Sequence, residues 1–326
     1  MRVSVLLTCH NEAAFIEEAV RSVFNQTARD AIAEIIVVND GSVDHSASIL
    51  ERLAREEPLL RVVTTPGLGL SAARNLGISQ ASGDVIAMLD GDDIWEPAKL
   101  ERSLPGFAMG DHIGLVYTDY VDFSTDGDEP MLVRVRRFQG TQRDTLEDYF
   151  VHDGPIVPST VLIRMEVFED VGLFDEEMGV SEDTELFLRI AEQWQFQHIP
   201  GGLTRKRRHG RNISNRLDVY IPVAIGITAR VTARHPPLKR LVGRRMARRY
   251  ARAGNDCSQK GENRRAIGLL SKAVIASPLH ARTYGYLLFM LVPRRVRRGA
   301  WRQAVRFYHY LGNSTAPQDA RLFQRS

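Results

Sequence analysis

Asp84-Val85-Ile86-Ala87-Met88-Leu89 runs directly into Asp90-Gly91-Asp92-Asp93. The apolar run Val85–Leu89 has the length and character of an interior strand in a parallel sheet. Such a strand delivers the carboxylates that follow it into the crevice at its carboxyl end, where open α/β sheets bind ligands. Three like charges so close raise one another's pKa unless a cation sits among them. A divalent metal is the simplest such cation, because Mg²⁺ is held by one or two carboxylates together with substrate phosphates. The plainer reading is a solvated acidic turn that caps a helix starting near Pro97.

On either side of this stretch, strand and helix patterns alternate with short connections, the signature of βαβ units. Strands are predicted at Val3–Thr8, Ile35–Asn39 and Leu60–Thr64, with a fifth at Ile113–Val121 after the strand ending at Asp90. Helices are predicted at Ala13–Asn25, from Asp44 to Arg55, at Ser71–Ser79 and from Pro97. The rhythm then breaks. Met131–Phe138 and Thr160–Arg164 read as strands and Glu182–Gln193 as an amphipathic helix, a change expected where a nucleotide-binding half gives way to a substrate-binding half.

Charge divides the chain more sharply than pattern does. Residues 1–202 carry 15 Lys and Arg against 36 Asp and Glu, and residues 203–326 carry 28 against 4. The basic half therefore favours an anionic surface or partner. It reads as helical, and residues 247–280 fit one tetratricopeptide-like unit, with Tyr250, Gly254, Ala266, Leu270, Ala273 and Pro278 at the expected positions. An ordinary αα-hairpin fits equally. Beyond it, the apolar run Tyr284–Val292 precedes Arg294, Arg295, Arg297 and Arg298, a pairing suited to interfacial attachment at anionic lipid. A solvated basic helix packed against the acidic half is the competing view.

Two cysteines, Cys9 and Cys257, offer neither a disulfide framework nor zinc spacing, which fits a reducing compartment. Val3–Leu7 is too short for a signal-peptide core, and no apolar run approaches the ~20 residues of a spanning helix. The expected location is cytoplasmic, with peripheral contact at the inner membrane face.

Further polar groups converge with the acidic cluster. Thr8-Cys9-His10-Asn11-Glu12 ends the first strand and Val38-Asn39-Asp40-Gly41-Ser42 the second, so in a parallel sheet they share one edge with Asp90. The third helix carries Arg74 and Asn75, and its amino terminus offers free N–H groups to an anion. Ser181-Glu182-Asp183 opens the amphipathic helix, and Arg207-Arg208-His209 lies just beyond the next strand. Taken singly, Asn39, Asp40 and Ser42 also serve as turn and cap residues.

In the order T-C-H-N-E, V-N-D-G-S, G-L-S-A-A-R-N, L-D-G-D-D, S-E-D and R-R-H-G-R-N-I-S, the chain resembles glycosyltransferase family 2 over roughly residues 1–215. The resemblance implies an α/β GT-A fold, Rossmann-like with a mostly parallel sheet, over residues 1–220. A basic helical domain would occupy 221–326. It also implies inverting, metal-assisted transfer of a sugar from a nucleotide diphosphate-sugar. Nothing about acceptor choice transfers from the resemblance, and the expectation adopted beside it is a UDP-sugar as donor and a hydroxyl of a cell-surface glycan or lipid-linked saccharide as acceptor. Under it, Thr8, Asn11, Glu12 and Asp40 line the base and ribose pocket, Arg74 lies beside the nucleotide and Asp90 bonds the ribose. Asp92 holds Mg²⁺ or Mn²⁺, and His209 completes the metal shell or contacts the diphosphate. Asp183 is the general base, since inversion needs a carboxylate opposite the leaving group and within reach of the acceptor hydroxyl. Glu182 orients the acceptor or serves as a helix N-terminal charge, and Arg207, Arg208 and Arg211 steady phosphate or begin the basic domain. Thr8 and Cys9 depart from the proline and bulkier residue of many members, which leaves the shape of the base pocket open.

Other classes fit less well. Gly67-Leu68-Gly69-Leu70-Ser71-Ala72 matches a dinucleotide-binding fingerprint but follows the third strand rather than the first. A nucleotidyltransferase wants a basic glycine-rich loop after the first strand, where this chain has Asn11 and Glu12. A non-catalytic basic adaptor with a degenerate transferase domain would not need its acidic motifs intact. No nucleic-acid module accompanies the basic half, so nucleic acid is not an expected partner.

Overall fold

A computed structural model describes residues 1–125, 129–138, 140–152, 156–209 and 217–291. The chain splits into two compact units, Met1–Arg245 and Met246–Ser326. The first opens with β1 (Val3–Cys9), α1 (Ile16–Phe24), β2 (Ile32–Asp40), α2 (Ser46–Glu56), β3 (Leu60–Thr65), α3 (Leu70–Ser79) and β4 (Val85–Asp90). These strands lie side by side, all parallel, in the order β3-β2-β1-β4. Their registers pair Thr8 with Asp90, Cys9 with Asn39, and Asp40 with Thr65, so the polar ends of all four meet at one edge.

Each of the central strands is buried on both faces, which is why it reads as a continuous apolar run. Leu6, Ile36, Val38, Ile86 and Met88 face Ala73 and Ile78 of α3. Val5, Leu7, Ile35, Val37, Ala87 and Leu89 alternate with them onto the opposite face, toward Ile16, Val20 and Val23 of α1 and Leu50 and Leu53 of α2. Cys9 is buried on that second face, where burial pushes its thiol up to about 11.

The rest of the unit comprises β5 (Ile94–Trp95), α4 (Lys99–Ser103), β6 (Ile113–Ser124), β7 (Met131–Val133), α5 (Gln142–His152), β8 (Val161–Arg164), α6 (Met165–Val171), α7 (Glu182–Gln193), β9 (Gln195–Arg208) and α8 (Leu217–Arg234). The sheet continues from β4 through β8, β6, β9 and β5, with β7 beside β6. It becomes mixed here: β8 is antiparallel to β4 and to β6, whereas β9 is parallel to β6. The edge strand expected over Met131–Phe138 is paired only over Met131–Val133, because Val135 N–H and Phe138 N–H turn inward to Asp119 Oδ1 and the Tyr117 hydroxyl. Arg207 and Arg208, expected beyond a strand, are the last two residues of β9. Residue 220 lies within α8, which belongs to the first unit.

The second unit holds most of α9 (Val242–Lys260), then α10 (Asn263–Ala276) and α11 (Ala281–Phe289). Ala247, Ala251, Leu270 and Ala273 form its core with Tyr250, Tyr286 and Leu287. A Cβ on Gly254 would come within 2.8 Å of Leu270 Cγ, so the absence of a side chain there sets how closely α9 and α10 approach. Cys257 is buried here, and its thiol is likewise pushed up to about 11. Among the described residues no helix is long and apolar enough to cross a membrane. The basic cluster Arg294–Arg298, along with Arg211, lies outside the described residues.

Candidate active site

The edge where β1, β2 and β4 end is built by cross-loop hydrogen bonds. Asn11 adopts a left-handed backbone (φ 57°), a conformation that asparagine tolerates better than most residues. Its N–H donates to Ser42 Oγ (2.9 Å) and its Oδ1 accepts from Val43 N–H (2.8 Å), fastening the loop after β1 to the loop after β2. Asp40 fastens the next loop: Oδ1 accepts from Thr65 Oγ1 (2.6 Å) and Leu68 N–H (2.6 Å), Oδ2 from Gly69 N–H (2.8 Å). Although burial opposes it, these donors hold the Asp40 carboxyl below its usual range. Oδ2 keeps a lone pair for one further donor.

The acidic turn is the electrostatic centre. Asp93 is 2% exposed and fixed by the Ser159 hydroxyl (2.6 Å) and Arg207 N–H (2.8 Å), yet burial and then Asp92 and Asp90 push its carboxyl well up. Thr8, 8% exposed, accepts Gly91 N–H on its carbonyl (3.1 Å). Glu12 lies close over Gly91: a Cβ there would stand 2.0 Å from Glu12 Oε2 and 2.8 Å from the Thr8 carbonyl oxygen, and it is the fixed backbone carbonyl that keeps this position glycine. Glu12 Oε2 is buried with no hydrogen-bond partner. Burial, then Asp92, Asp90 and Asp93, pushes the Glu12 carboxyl up to about 9.

His209 closes the site from the end of β9. Its Nε2 lies 2.9 Å from Asp92 Oδ2, and its ring stacks on Phe15 at 5.0 Å. Arg207 braces this arrangement. Its guanidinium lies between the rings of Phe15 (4.7 Å) and Phe123 (4.6 Å), donates to the Asp92 carbonyl (2.9 Å) and pairs with Glu18 (2.6 Å). Arg208 is engaged by Asp122. Phe15, read in sequence only as an apolar residue of the first helix, is the piece that sequence reasoning missed; a ring just before α1 carries no signal of its own.

Across the cleft, α7 starts after Ser181, another left-handed residue (φ 61°). Asp183 Oδ1 accepts from Thr184 N–H (2.6 Å). Burial, then Glu182, raises the Asp183 carboxyl to about 7, with Arg74 opposing. Arg74 is itself buried: Nη1 donates to Glu182 Oε1 (2.6 Å) and Nη2 to Asp90 Oδ1 (2.7 Å). The structure thus brings Asp90, Arg74, Glu182 and Asp183 into one connected group, and Asp92 with His209 into another.

The sequence profile described as Glycosyl transferase family 2 matches residues 4–172, more than half of the chain. The chain belongs to glycosyltransferase family 2. Chondroitin synthase of Pasteurella multocida (strain Pm70) is 27% identical over 212 residues, which is 65% of this chain but 21% of that protein. The chain therefore spans about a fifth of the length of that relative. EpsJ of Bacillus subtilis (strain 168), an uncharacterized glycosyltransferase, is 33% identical over 187 residues, 56% of this chain and 54% of that one. Among solved structures, S. aureus TarS 1-349 in complex with UDP-GlcNAc matches with a TM-score of 0.62 at 16% identity, covering 93% of this chain and 92% of that one. The mannosyltransferase PcManGT of Pyrobaculum calidifontis, in complex with GDP-Man and Mn2+, matches at 0.60 and 21%, covering 90% and 82%. These likenesses give the family 2 chain its GT-A fold.

In this family 2 chain the polar groups suit a divalent cation. The buried Glu12 oxygen without a partner and the raised carboxyls of Asp92 and Asp93 mark an excess of negative charge. Asp92 offers a carboxylate oxygen, the donor type that suits Mg²⁺ or Mn²⁺, and the His209 imidazole 2.9 Å from it would add a nitrogen donor. Among the described residues no three His, Cys, Asp or Glu side chains converge so as to hold a metal ion. A cation held by Asp92 and His209 would keep positions for diphosphate oxygens and water.

Proposed function

We propose that this protein is an inverting hexosyltransferase that moves a sugar from a UDP-sugar to a hydroxyl of a cell-surface glycan or lipid-linked saccharide at the cytoplasmic face of a membrane. The observation that carries the reading is Asp183: a carboxylate at the start of α7, raised to about 7 and linked through Glu182 and Arg74 to Asp90 at the donor edge. A group with that pKa is suited to accept a proton near neutral pH.

In this reading Asp183 takes the proton of the acceptor hydroxyl as its oxygen attacks the anomeric carbon, and the bond to the diphosphate breaks on the opposite side. Asp40 Oδ2 accepts from the nucleobase, with Thr8, Asn11 and Glu12 shaping the pocket around base and ribose. Asp90 accepts from the ribose. Asp92 and His209 hold the metal, which when bound neutralises charge on the leaving diphosphate. The nucleotide complexes of TarS and PcManGT support a nucleotide-sugar donor, and the Mn2+ of PcManGT supports a metal. The similarity to chondroitin synthase supports a glycan product.

Attachment to an anionic membrane through the second unit is part of the proposal. Residues 246–291 hold eight Lys and Arg against two acidic residues. They also expose Ile275, Leu279, Leu288 and Leu291.

Calorimetric titration of UDP, GDP and dTDP, with Mn²⁺ and with EDTA, tests the donor class. Metal-dependent binding of UDP alone is expected; preference for GDP or dTDP would replace the donor, and no binding would count against an active transferase. Asp183→Asn should keep UDP affinity while losing roughly 10²–10⁴-fold in transfer. Unchanged turnover would remove Asp183 from the base role.

A further inference from the structure

One face of α3 is given over to a single segment, residues 174–182. Ser71, Arg74 and Asn75 stand at helical spacings of three and four, so they project together. Ser71 Oγ donates to the Met178 carbonyl (3.4 Å). Asn75 accepts from Phe174 N–H (2.9 Å) and donates to the Phe174 carbonyl and Glu176 Oε1 (both 2.9 Å). Between them the Arg74 guanidinium lies over the Phe174 ring at 5.3 Å while its two outer nitrogens reach Glu182 and Asp90. Near the end of the segment stands left-handed Ser181, a conformation that costs on the order of 1–3 kcal/mol and persists only where neighbours impose it. Asp183 follows two residues later.

An ion triad around a buried guanidinium is a weak source of stability, because desolvation offsets its attraction. Its geometry is more informative. The guanidinium is a rigid planar fork, and here one prong rests on β4 and the other on α7.

We propose that Arg74 is a positioning residue whose fork, braced by Ser71 and Asn75, sets the distance between the donor edge at Asp90 and the base at Asp183. The inference rests on Asp183 being the base. The charged groups that face Asp183 are Glu182 on its own helix, Arg74 from α3 and Asp90 from β4. Glu182 and Asp90 favour the protonated acid and Arg74 the carboxylate. Removing Arg74 or removing the charge of Glu182 should therefore move the titration of Asp183 in opposite directions.

The test is the pH profile of kcat with full-length protein, saturating UDP-sugar and metal, for the parent, Arg74→Gln, Arg74→Lys and Glu182→Gln. In Arg74→Gln the ascending limb should move to higher pH, and in Glu182→Gln to lower pH. Each should lose about 10–10²-fold in kcat, the scale of a small misplacement of reacting groups. Glu182→Gln, which leaves the Arg74–Asp90 pair in place, should keep UDP affinity within about twofold, a change small in free energy. Arg74→Lys keeps the charge without the fork, so its limb should stay near the parent's while its rate falls. Should Arg74→Gln fail to fold, Glu182→Gln and Arg74→Lys still decide the matter. A limb that neither variant moves, or rates within about twofold of the parent, overturns the role of Arg74 alone. A parent profile lacking any limb that Asp183→Asn abolishes overturns the base assignment and this inference with it.

Discussion

Asp183 and Glu12 are both carboxylates raised by burial, and they lead to opposite pH behaviour. Asp183 must be ionised to accept a proton, so transfer should rise with pH up to about 7 and level off above it, as measured in the parent profile. Glu12 affects stability instead. With its carboxyl at about 9 in the folded chain against an ordinary 4.5, the native state retains a proton that the unfolded chain releases. Stability without metal should therefore fall as pH rises between those values. Glu12→Gln should raise the Tm in EDTA at pH 8 and leave it nearly unchanged at pH 4, a contrast that thermal melts at the two pH values would check. Asp92→Ala should weaken UDP binding in Mn²⁺ toward the EDTA value. If UDP bound the parent equally well in both, Asp92 would lose its assigned role.

At the scale of elements, the segment before α7 is held by few but buried contacts. Asn75→Ala removes three hydrogen bonds to Phe174 and Glu176 and leaves buried backbone groups unpaired. A loss of about 1–3 kcal/mol in urea unfolding is expected, with transfer falling more than UDP affinity. The elements themselves were legible where a local pattern matched a local cause. The doubly buried strands β1, β2 and β4 announce themselves as apolar runs, and Glu182–Gln193 as a helix by its apolar stripe. A strand ahead of Arg207 was expected, but the full length of β9 and its pairing with β6 were not legible, because Gln195–Arg208 is polar and basic, with only Phe196, Leu203, Thr204 and Arg207 buried. Site residues divide in the same way. The chain announces Asp90, Asp92 and Asp183 by clustering. That Arg74 faces two carboxylates, that Arg207 braces a backbone carbonyl between two rings, and that Asp40 organises a loop are long-range facts no spacing encodes.

At the scale of the molecule, the two units differ in charge as in architecture. If the second unit carries the proposed attachment, binding to vesicles rich in anionic lipid should exceed binding to neutral vesicles and weaken with salt, as counterion screening requires. Equal binding to both, or a preference for duplex DNA, would redirect the role of the basic half. The units also differ in a way that chemistry can exploit. Cys9 lies in the first unit and Cys257 in the second, both buried and both with thiols at about 11, so neither is a ready nucleophile in the folded protein. Each thiol is thus a built-in reporter for the half that encloses it. Under graded urea, the order in which a thiol reagent tags the two sites would reveal which half opens first, with no engineered label and no separation of the halves.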